Sequence, residues 1–331
     1  MPGTYTGTGN NVVEMPIVSV TLRSSDPSDW EVVVSTIIDG ENKRRGLFCN
    51  TDVSPTTIVN GLTFTNGLGN SDGGGMLLDS SITVKNCRFE HNLAPYAGGG
   101  LRITHCSALI EDCEFLQNSS YYGGGVSIVG DIWNPIFTGC DFVLNSSTNG
   151  GCGGAVSSWN CNAEFYECAF YENTSECGGA IFIASVGEKF WPLVTDSIFC
   201  GNVTEDFNGD YWTDGGGNVF FEECNFADCN NNSVVDMRDI ADGTSDDCNG
   251  NGIPDECDFA DGTNYDCNEN GIGDVCDLAD GPSVDLNCNG IPDNCPNEEF
   301  NDCNGNGIYD ECELLDGTSQ DCNDNGIPDE C

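Results

Sequence analysis

Acidic and amide side chains recur at fixed intervals in the last third of the chain. The fullest copy runs from Asp247 to Asp258 and has oxygen-bearing side chains at positions 1, 3, 5, 9 and 12, with Gly252 at position 6. Calcium takes about six to eight oxygen ligands, and the glycine permits the sharp turn that wraps such a loop around an ion. The pattern predicts six calcium-binding loops, which begin at Asp228, Asp247, Asp266, Asp285, Asp302 and Asp321.

Each loop is expected to bind its ion through those five side chains and the main-chain carbonyl at position 7. The second, third and fifth loops are complete. Ser233 replaces the turn glycine in the first loop, Pro296 replaces the closing carboxylate in the fourth, and the sixth reaches Cys331 before position 12, so we expect weaker sites there. The predicted metal ligands are Asp228, Asn230, Asn232, Asp236 and Asp239 in the first loop; Asp247, Asn249, Asn251, Asp255 and Asp258 in the second; Asp266, Asn268, Asn270, Asp274 and Asp277 in the third; Asp285, Asn287, Asn289 and Asp293 in the fourth; Asp302, Asn304, Asn306, Asp310 and Glu313 in the fifth; and Asp321, Asn323, Asn325 and Asp329 in the sixth.

The fourth loop separates the ion ligands from the cysteines. Its ligand pattern is kept although Cys288 stands at position 4, where the other loops have their cysteine at position 2. Ion binding, rather than disulfide placement, is therefore predicted to set the register. From Cys248 onward each copy has two cysteines, which suits pairing within a repeat, while pairing between repeats remains equally open.

Charge supports a structural role for the ions. Between residues 228 and 331 there are 28 acidic residues and one basic residue, Arg238. Such a segment repels itself unless counter-ions neutralise it, and its few aromatic side chains cannot form a core. We expect calcium and disulfides to order this tail; a flexible acidic tail is the alternative. A formal net charge of −46 for the whole chain makes nucleic acid an unlikely partner.

Two short segments of the tail have a familiar form. Asp274-Val275-Cys276-Asp277 and the run from Asp293 to Asn297 resemble thrombospondin type 3 repeats and, more loosely, dockerin loops. The resemblance implies an extracellular array of calcium sites.

A second repeat with a longer period occupies the first two-thirds of the chain. Cys-x-Phe units, or substituted forms of them, recur every 25 to 29 residues, and each continues into a glycine cluster and a short apolar run. Short alternating strands separated by glycine turns, with a drifting period, are typical of the rungs of a solenoid. The phenylalanines of the units are Phe64, Phe89, Phe115, Phe142, Phe170, Phe199 and Phe226.

This arrangement resembles the right-handed parallel β-helix of the pectin lyase-like superfamily. The segments from Ser35 to Gly40 and from Ile58 to Phe64 resemble early coils of bacterial β-helix proteins. The predicted fold is therefore all-β, with a parallel β-helix over residues 1–227 and the calcium-loop array over residues 228–331.

Stacked rungs turn equivalent residues into columns. Cys87 and Phe89 are expected to point inward and Arg88 outward, where Glu114 and then Asp141 follow it along the ladder. The cysteine column is read as core filling, whereas Cys152 and Cys177, at turns of adjacent rungs, could bond. A column of asparagines follows the phenylalanines. It suggests either glycosylation or a ladder of hydrogen-bonded amides with left-handed backbone, and we favour the ladder. The column comprises Asn92, Asn118, Asn145, Asn173 and Asn202.

Cysteine content indicates the compartment. Twenty-two cysteines point to an oxidising, extracellular location. No apolar run is long enough to cross a membrane, and residues from Met1 lead straight into strand-like sequence without a leader, which we read as a mature or truncated start.

Function follows from these features as a hypothesis. We expect no catalytic residues, because the paired aspartates and Gly-His-Gly of the superfamily's hydrolases are lacking. Lys85, Arg88, Arg102 and His105 are the cationic groups that could lie on neighbouring rungs. The leading prediction is a secreted structural or cell-surface protein that self-associates head to tail into a calcium-stabilised filament or adhesive layer. The alternative is a polysaccharide-binding or polysaccharide-cleaving protein anchored by its tail, with an aromatic row formed by Trp133, Trp159, Trp191 and Trp212.

Overall fold

The computed structural model describes most of the first two-thirds of the chain and parts of each tail repeat. By its internal contacts the chain divides into two units, Met1–Cys224 and Asn225–Cys331, close to the boundary after residue 227 that the sequence suggests. The described residues are 2–130, 133–186, 190–209, 212–221, 224, 229, 236–248, 253–261, 266–267, 273–279, 283–288, 291–295, 301–321 and 327–329.

The first unit is a parallel β-solenoid, as predicted. Its strands are short, since each crosses only one face of a rung, and one brief helix, α1 (Trp30–Val34), interrupts them. The strands are β1 (Gly3–Tyr5), β2 (Asn11–Glu14), β3 (Thr21–Arg23), β4 (Thr36–Asp39), β5 (Arg45–Cys49), β6 (Ile58–Asn60), β7 (Thr63–Thr65), β8 (Met76–Leu78), β9 (Thr83–Lys85), β10 (Arg88–Glu90), β11 (Leu93–Ala97), β12 (Leu101–Thr104), β13 (Leu109–Glu111), β14 (Glu114–Leu116), β15 (Ser119–Tyr122), β16 (Val126–Val129), β17 (Ile136–Thr138), β18 (Asp141–Val143), β19 (Ser146–Cys152), β20 (Val156–Trp159), β21 (Glu164–Tyr166), β22 (Ala169–Tyr171), β23 (Ile181–Ala184), β24 (Leu193–Thr195), β25 (Ile198–Cys200), β26 (Phe207–Gly209), β27 (Thr213–Asp214) and β28 (Val219–Phe221).

Three long sheets run along the solenoid. The first has the order β1-β4-β7-β10-β14-β18-β22-β25-β28, the second β2-β5-β8-β12-β16-β20-β23-β26, and the third β3-β6-β9-β13-β17-β21-β24-β27. A short sheet, β11-β15-β19, lies between the first and second sheets in chain order. Neighbours in each sheet come from successive rungs, so the chain climbs by one strand per sheet in each turn.

The interior of the first sheet is a stack of phenylalanines. Phe89 and Phe115 are fully buried, with their rings nearly parallel and 4.9 Å apart, and the stack continues in the same way from Phe64 to Phe199. Arg88 points outward between them and pairs with Glu90 at 2.9 Å and Glu114 at 3.2 Å. The inward and outward alternation predicted for this unit is therefore confirmed.

The last rung differs from the sequence prediction. Phe220, not Phe226, continues the stack, with its ring 5.0 Å from that of Phe199 and its Cα in register with it. This rung is shorter than the earlier ones, and Cys224 forms a disulfide with Cys200. Phe226 lies outside the described residues. The prediction that the Cys-x-Phe unit at 224–226 supplies the last phenylalanine of the stack was therefore wrong.

A buried ladder of asparagines follows the first sheet. Asn118 donates through Nδ2 to Oδ1 of Asn145 (3.0 Å) and to the carbonyl oxygen of Phe89 (2.8 Å), and its backbone N–H donates to the same Oδ1 (3.0 Å). Asn92, Asn145 and Asn173 repeat these bonds. Asn118, Asn145 and Asn173 are 0% exposed, so the predicted ladder is confirmed and these amides are not available to a glycan.

Left-handed backbone occurs one residue earlier than expected. φ is 53° at His91, 52° at Gln117, 54° at Leu144 and 51° at Glu172, each immediately before a ladder asparagine. The asparagine itself must point inward to bond along the ladder, so its predecessor makes the turn. The expectation that the asparagines adopt this conformation was wrong.

Glycine clusters form the turns into the second sheet. A Cβ on Gly99 would lie 2.5 Å from the carbonyl oxygen of Gly124 in the next rung, and Gly123 has φ of 63°. Backbones of adjacent rungs approach too closely here for any side chain.

Cysteines of the first unit divide into two groups. Cys152 and Cys177 form the predicted disulfide between adjacent turns, with a Cα–Cα distance of 4.8 Å. Four members of the predicted cysteine column fill the core as free, buried thiols, namely Cys87, Cys113, Cys140 and Cys168, whereas the fifth, Cys224, is in a disulfide. Cys49, Cys106 and Cys161, which are not in that column, are free and buried as well.

The second unit contains short helices that the sequence analysis did not anticipate. They are α2 (Asp236–Asp242), α3 (Asp255–Asp261), α4 (Asp274–Ala279) and α5 (Asp310–Asp316). Each begins at position 9 of a predicted loop, so positions 9 and 12 lie on one face of a helical turn. Across the described residues, no helix has the length and apolar character needed to span a membrane.

Candidate metal-binding loops

The fifth loop is described completely and shows the geometry of the repeat. Asp302 accepts backbone N–H bonds from Gly305 (2.8 Å to Oδ1), Asn306 (3.2 Å to Oδ1) and Gly307 (3.0 Å to Oδ2). These bonds wind the chain around the carboxylate of position 1. The turn glycine at position 6, Gly307, has a φ of 88°, a conformation that favours glycine.

The remaining side chains of the loop converge on Glu313. Nδ2 of Asn304 lies 3.0 Å from Oε2 of Glu313, and Nδ2 of Asn306 lies 2.6 Å from Oε1. Asp310 accepts the N–H of Cys303 at 3.0 Å. The structure therefore brings Asn304, Asn306 and Glu313 into contact, while Asp302 and Asp310 bond to backbone N–H groups of the same loop. An asparagine presents oxygen as readily as nitrogen, so the same side chains can ligate a cation.

A pair of hydrogen bonds recurs at position 9. The carboxylate of position 9 accepts the N–H of position 2 in the loops that contain Asp236, Asp255, Asp274, Asp293 and Asp310. The backbone N–H of Asp255, Asp293, Asp310 and Asp329 donates to the carbonyl of the residue that precedes its loop. This clasp closes each loop and points the position-9 carboxylate inward. The sequence analysis did not foresee it.

Most carboxylates at positions 9 and 12 are buried. Asp258 and Asp277 are 0% exposed and Glu313 is 3% exposed; Asp236, Asp239, Asp274 and Asp310 are buried as well. Oδ2 of Asp236 and Oδ2 of Asp293 are buried and have no hydrogen-bond partner among the described residues. Burying a carboxylate without compensation is costly, and the tail has one basic residue to offer. The donor set therefore fits a cation.

Electrostatics of the second loop point the same way. Burial raises the pKa of Asp255 above its ordinary value, and the charges of Asp247, Asp258 and Asp246 raise it further, against the N–H bond from Cys248. Four carboxylates thus crowd one loop.

Disulfides link each loop to the next one. Cys229 pairs with Cys257, Cys248 with Cys276 and Cys267 with Cys295, each across 28 residues, from position 2 of one repeat to position 11 of the following repeat. This settles the choice left open by the sequence in favour of pairing between repeats. The Cys288–Cys312 bridge spans only 24 residues because the fourth repeat is shorter and its cysteine is displaced.

Sulfur atoms lie beside the position-9 carboxylates. Cys267 Sγ is 2.9 Å from Oδ1 of Asp274, and Cys276 Sγ is 3.3 Å from Oδ2 of Asp255. Clusters of this kind could suit a soft metal only as free thiolates. Because Cys267 and Cys276 are both in disulfides, with Cys295 and Cys248, the carboxylate oxygen atoms remain the available ligands.

Some predicted ligands lie outside the described residues. The structure describes the predicted ligands of the fifth loop and the carboxylates at positions 9 and 12 of the first three loops. It also describes Asp247, Asp266, Asp285, Asn287, Asp293, Asp321 and Asp329, of which Asn287 is fully buried. Those outside the described residues are Asp228, Asn230, Asn232, Asn249, Asn251, Asn268, Asn270, Asn289, Asn323 and Asn325.

Three of the candidate cationic groups of the first unit lie in different sheets, while His105 directly follows β12, the strand that contains Arg102. Lys85 lies on a strand of the third sheet, Arg88 on the first sheet and Arg102 on the second. The tryptophans are also divided. Trp159 lies in the second sheet, while Trp133, Trp191 and Trp212 lie shortly before strands of the third sheet.

Comparison with protein-family models, with curated proteins and with solved structures finds no match. The structure itself defines the class: a parallel β-solenoid followed by a disulfide-linked repeat array.

Proposed function

We propose that the tail is an array of calcium sites whose ions belong to its folded structure. The observation that carries this proposal is the burial of position-9 and position-12 carboxylates, such as Asp310 and Glu313, in a segment with almost no basic residues. The partnerless oxygens of Asp236 and Asp293 add to it. A divalent cation would neutralise each cluster.

Calcium suits this donor set better than other common cations. The fifth loop offers oxygen atoms from Asp302, Asn304, Asn306, Asp310 and Glu313, together with a main-chain carbonyl at Ile308. Calcium accepts such a flexible set, whereas magnesium demands near-octahedral geometry and keeps several waters.

Counting bound ions tests the proposal directly. Protein equilibrated with calcium by dialysis should retain at least one ion for each of the second, third and fifth loops, as measured by elemental analysis against protein concentration. A content well below three ions per chain would contradict this expectation, and a content near zero would refute the proposal.

For the whole protein, we infer a secreted structural or cell-surface role. The disulfides support folding in an oxidising compartment, and such compartments supply the calcium that the tail requires. The β-solenoid is then the body of the protein, and the tail is a calcium-stiffened connector.

Head-to-tail self-association is part of this proposal. Within the described structure, β1, β2 and β3 are the outermost strands of the three long sheets at one end, and β28, β26 and β27 at the other. Outer strands present unpaired backbone groups that a second copy could extend. Tyr5 lies on β1 and is 46% exposed, which provides apolar surface at this end.

Light scattering and negative-stain electron microscopy of full-length, calcium-loaded protein test this assembly. Growth of filaments with concentration is the expected result, and a proline in an outer strand, Thr4→Pro, should suppress it because it removes an N–H donor. Monomers at every concentration would contradict self-association while leaving the calcium proposal intact.

A further inference from the structure

An aromatic groove crosses successive rungs on the outer surface of the solenoid. Tyr96, Tyr122 and Trp159 line it together with Arg102 and Asn160, and they enclose about 160 Å³. Register places these rings on consecutive rungs, since Ala97 pairs with Tyr122, and Val129, of the same rung as Tyr122, pairs with Trp159.

The rings stand edge to face rather than as a flat platform. The Tyr96 and Tyr122 rings are 5.5 Å apart at 86°, and the Tyr122 and Trp159 rings are 5.4 Å apart at 75°. Tyr96 is 53% exposed, so its face is open to a ligand. Perpendicular rings leave clefts between them, a shape that accepts compact apolar rings inserted from outside.

The floor of the groove supplies hydrogen-bond donors. Arg102 lines the groove, and its Nη1 donates to Oγ of Ser127. Its Nε is buried and out of reach of a ligand, so the terminal nitrogens are the donors that this guanidinium can offer. Asp72 and Asp79 lie close enough to act on this guanidinium: burial lowers the pKa of Arg102, and the two carboxylates and Tyr96 oppose that shift. The groove therefore offers N–H donors without an excess of positive charge, which suits uncharged carbonyl acceptors.

Periodicity selects among such ligands. A polyproline II helix repeats every three residues, or about 9.3 Å, and leaves all of its carbonyls unbonded. Two rungs of a β-solenoid span about 9.6 Å. Tyr96 and Trp159 are two rungs apart, so both would meet the same face of such a helix lying along the solenoid axis.

We propose that this groove binds a proline-rich segment of a partner protein in the polyproline II conformation. Pyrrolidine rings fill the clefts between Tyr96, Tyr122 and Trp159, and Arg102 donates to a peptide carbonyl. Charge defines the flanks of the segment. With 55 acidic against 9 basic residues, the chain attracts Lys- or Arg-flanked sequences and repels acidic ones.

Fluorescence polarisation with labelled peptides tests the groove. The probes are a nine-residue proline peptide flanked by lysines, the same peptide flanked by glutamates, and a lysine-flanked Gly-Ser peptide of equal length. Calcium is held constant, and unlabelled neutral oligosaccharides serve as competitors. We expect the lysine-flanked proline peptide to bind most tightly and the Gly-Ser peptide to bind at least about tenfold more weakly, since it lacks both the rings and the preformed helix.

Variants locate the binding. Tyr96→Ala and Trp159→Ala should each weaken binding by about tenfold or more, as expected for aromatic anchors. Trp191→Ala is the matched control, because Trp191 is 45% exposed and lies outside the groove; it should change binding less than about twofold. The melting temperature is measured for each variant, and Tyr96→Ala keeps the test valid if Trp159→Ala unfolds.

Three results would overturn the proposal: no binding of the proline peptide at millimolar concentration, equal binding of the Gly-Ser peptide, or binding that both groove variants leave unchanged. Displacement of the peptide from the groove by an oligosaccharide that itself binds more tightly would identify a saccharide site instead. These variants leave the tail unaltered, so failure here does not bear on the calcium proposal.

Discussion

Asparagine plays two different structural roles in this chain. In the solenoid, Asn145 uses both its amide nitrogen and its oxygen within a buried ladder. In the fifth loop, Asn304 and Asn306 direct their nitrogen atoms to Glu313. Rotation of these amides would expose oxygen to a cation and free the carboxylate to bind it. That rotation would break the bonds in which Oδ1 of Asn304 accepts the N–H of Asn306 and Oδ1 of Asn306 accepts the N–H of Ile308, so the loop should change its geometry when it binds an ion.

Glu313 is the residue whose loss should affect the fifth loop most. Glu313→Gln removes one negative charge and one ligand oxygen, and we expect calcium affinity at this loop to fall by at least about tenfold. Terbium luminescence sensitised by Tyr309, at position 8 of the loop, can follow the site. Asp316→Asn, an exposed change on the same helix, is the control. Equal calcium affinity in the Glu313 variant and the control would show that Glu313 is not a calcium ligand.

Asn145 should be equally sensitive to replacement, but for stability. Asn145→Ala removes the acceptor of the Asn118 backbone N–H and of one Nδ2 proton, and it removes a donor to the carbonyl of Phe115, so we expect a loss of about 3 kcal/mol. Denaturant unfolding measures it. Asn134→Ala, at an exposed position, should cost less than about 0.5 kcal/mol. Similar losses in both variants would argue against the ladder as a stabilising element.

Buried thiols of the solenoid should be inert. Burial raises the pKa of Cys106 to about 12, and the pKa of Cys49 and that of Cys161 to about 12 as well. We expect no alkylation of these residues by iodoacetamide at pH 8 in the folded protein, and full alkylation after unfolding, as mapped by mass spectrometry. Since the unfolded thiol ionises near pH 9, stability should fall as the pH rises from about 9 towards 12. Rapid alkylation of the native protein would contradict this burial.

Elements of the solenoid follow from sequence spacing wherever the rungs are regular. The columns of Phe89 and Asn118 could be placed because every copy contributes one residue to each. The last rung could not, because its length changes and Phe220 replaces the expected Phe226. The spacing of residues in the sequence predicts which of them share a column only where the turns between the strands have the same length in every rung.

Leu144 lies at a strained turn between β18 and β19. Its φ of 54° is unfavourable for a branched side chain, and Leu144 is 41% exposed, so little packing is lost on replacement. Leu144→Gly should relieve about 1 kcal/mol of strain and, after the entropy cost of glycine, stabilise the solenoid by about 0.5 kcal/mol. Val143→Gly, one residue earlier and within β18, should destabilise it. Destabilisation by both changes, measured by denaturant unfolding, would refute the strain at Leu144.

The helices and backbone bonds of the tail were not predicted from the sequence. The oxygen pattern identifies the loops, but helix α5 and the clasp at Asp310 depend on backbone bonds that side-chain types do not encode. The disulfide pairing did carry a usable signal. A constant separation of 28 residues connects position 2 to position 11 of the next repeat. Pairing within a repeat would join residues nine apart in a loop that the position-9 carboxylate already closes by accepting the N–H of position 2.

At the scale of the whole molecule, the two units depend on different sources of stability. The solenoid has a continuous apolar core and buried hydrogen-bond ladders. The tail has small helices, disulfides that join successive repeats and clusters of buried carboxylates. Calcium should therefore matter to one unit and not to the other.

Thermal unfolding of the full-length protein in calcium and in EGTA tests this claim most directly. Differential scanning calorimetry should show a transition of the tail that shifts to higher temperature with calcium and is lost in EGTA, while the transition of the solenoid stays in place. Limited proteolysis of the same samples assigns each transition, since the tail should be cleaved only when calcium is removed. Identical transitions and identical cleavage in both conditions would contradict a calcium-ordered tail.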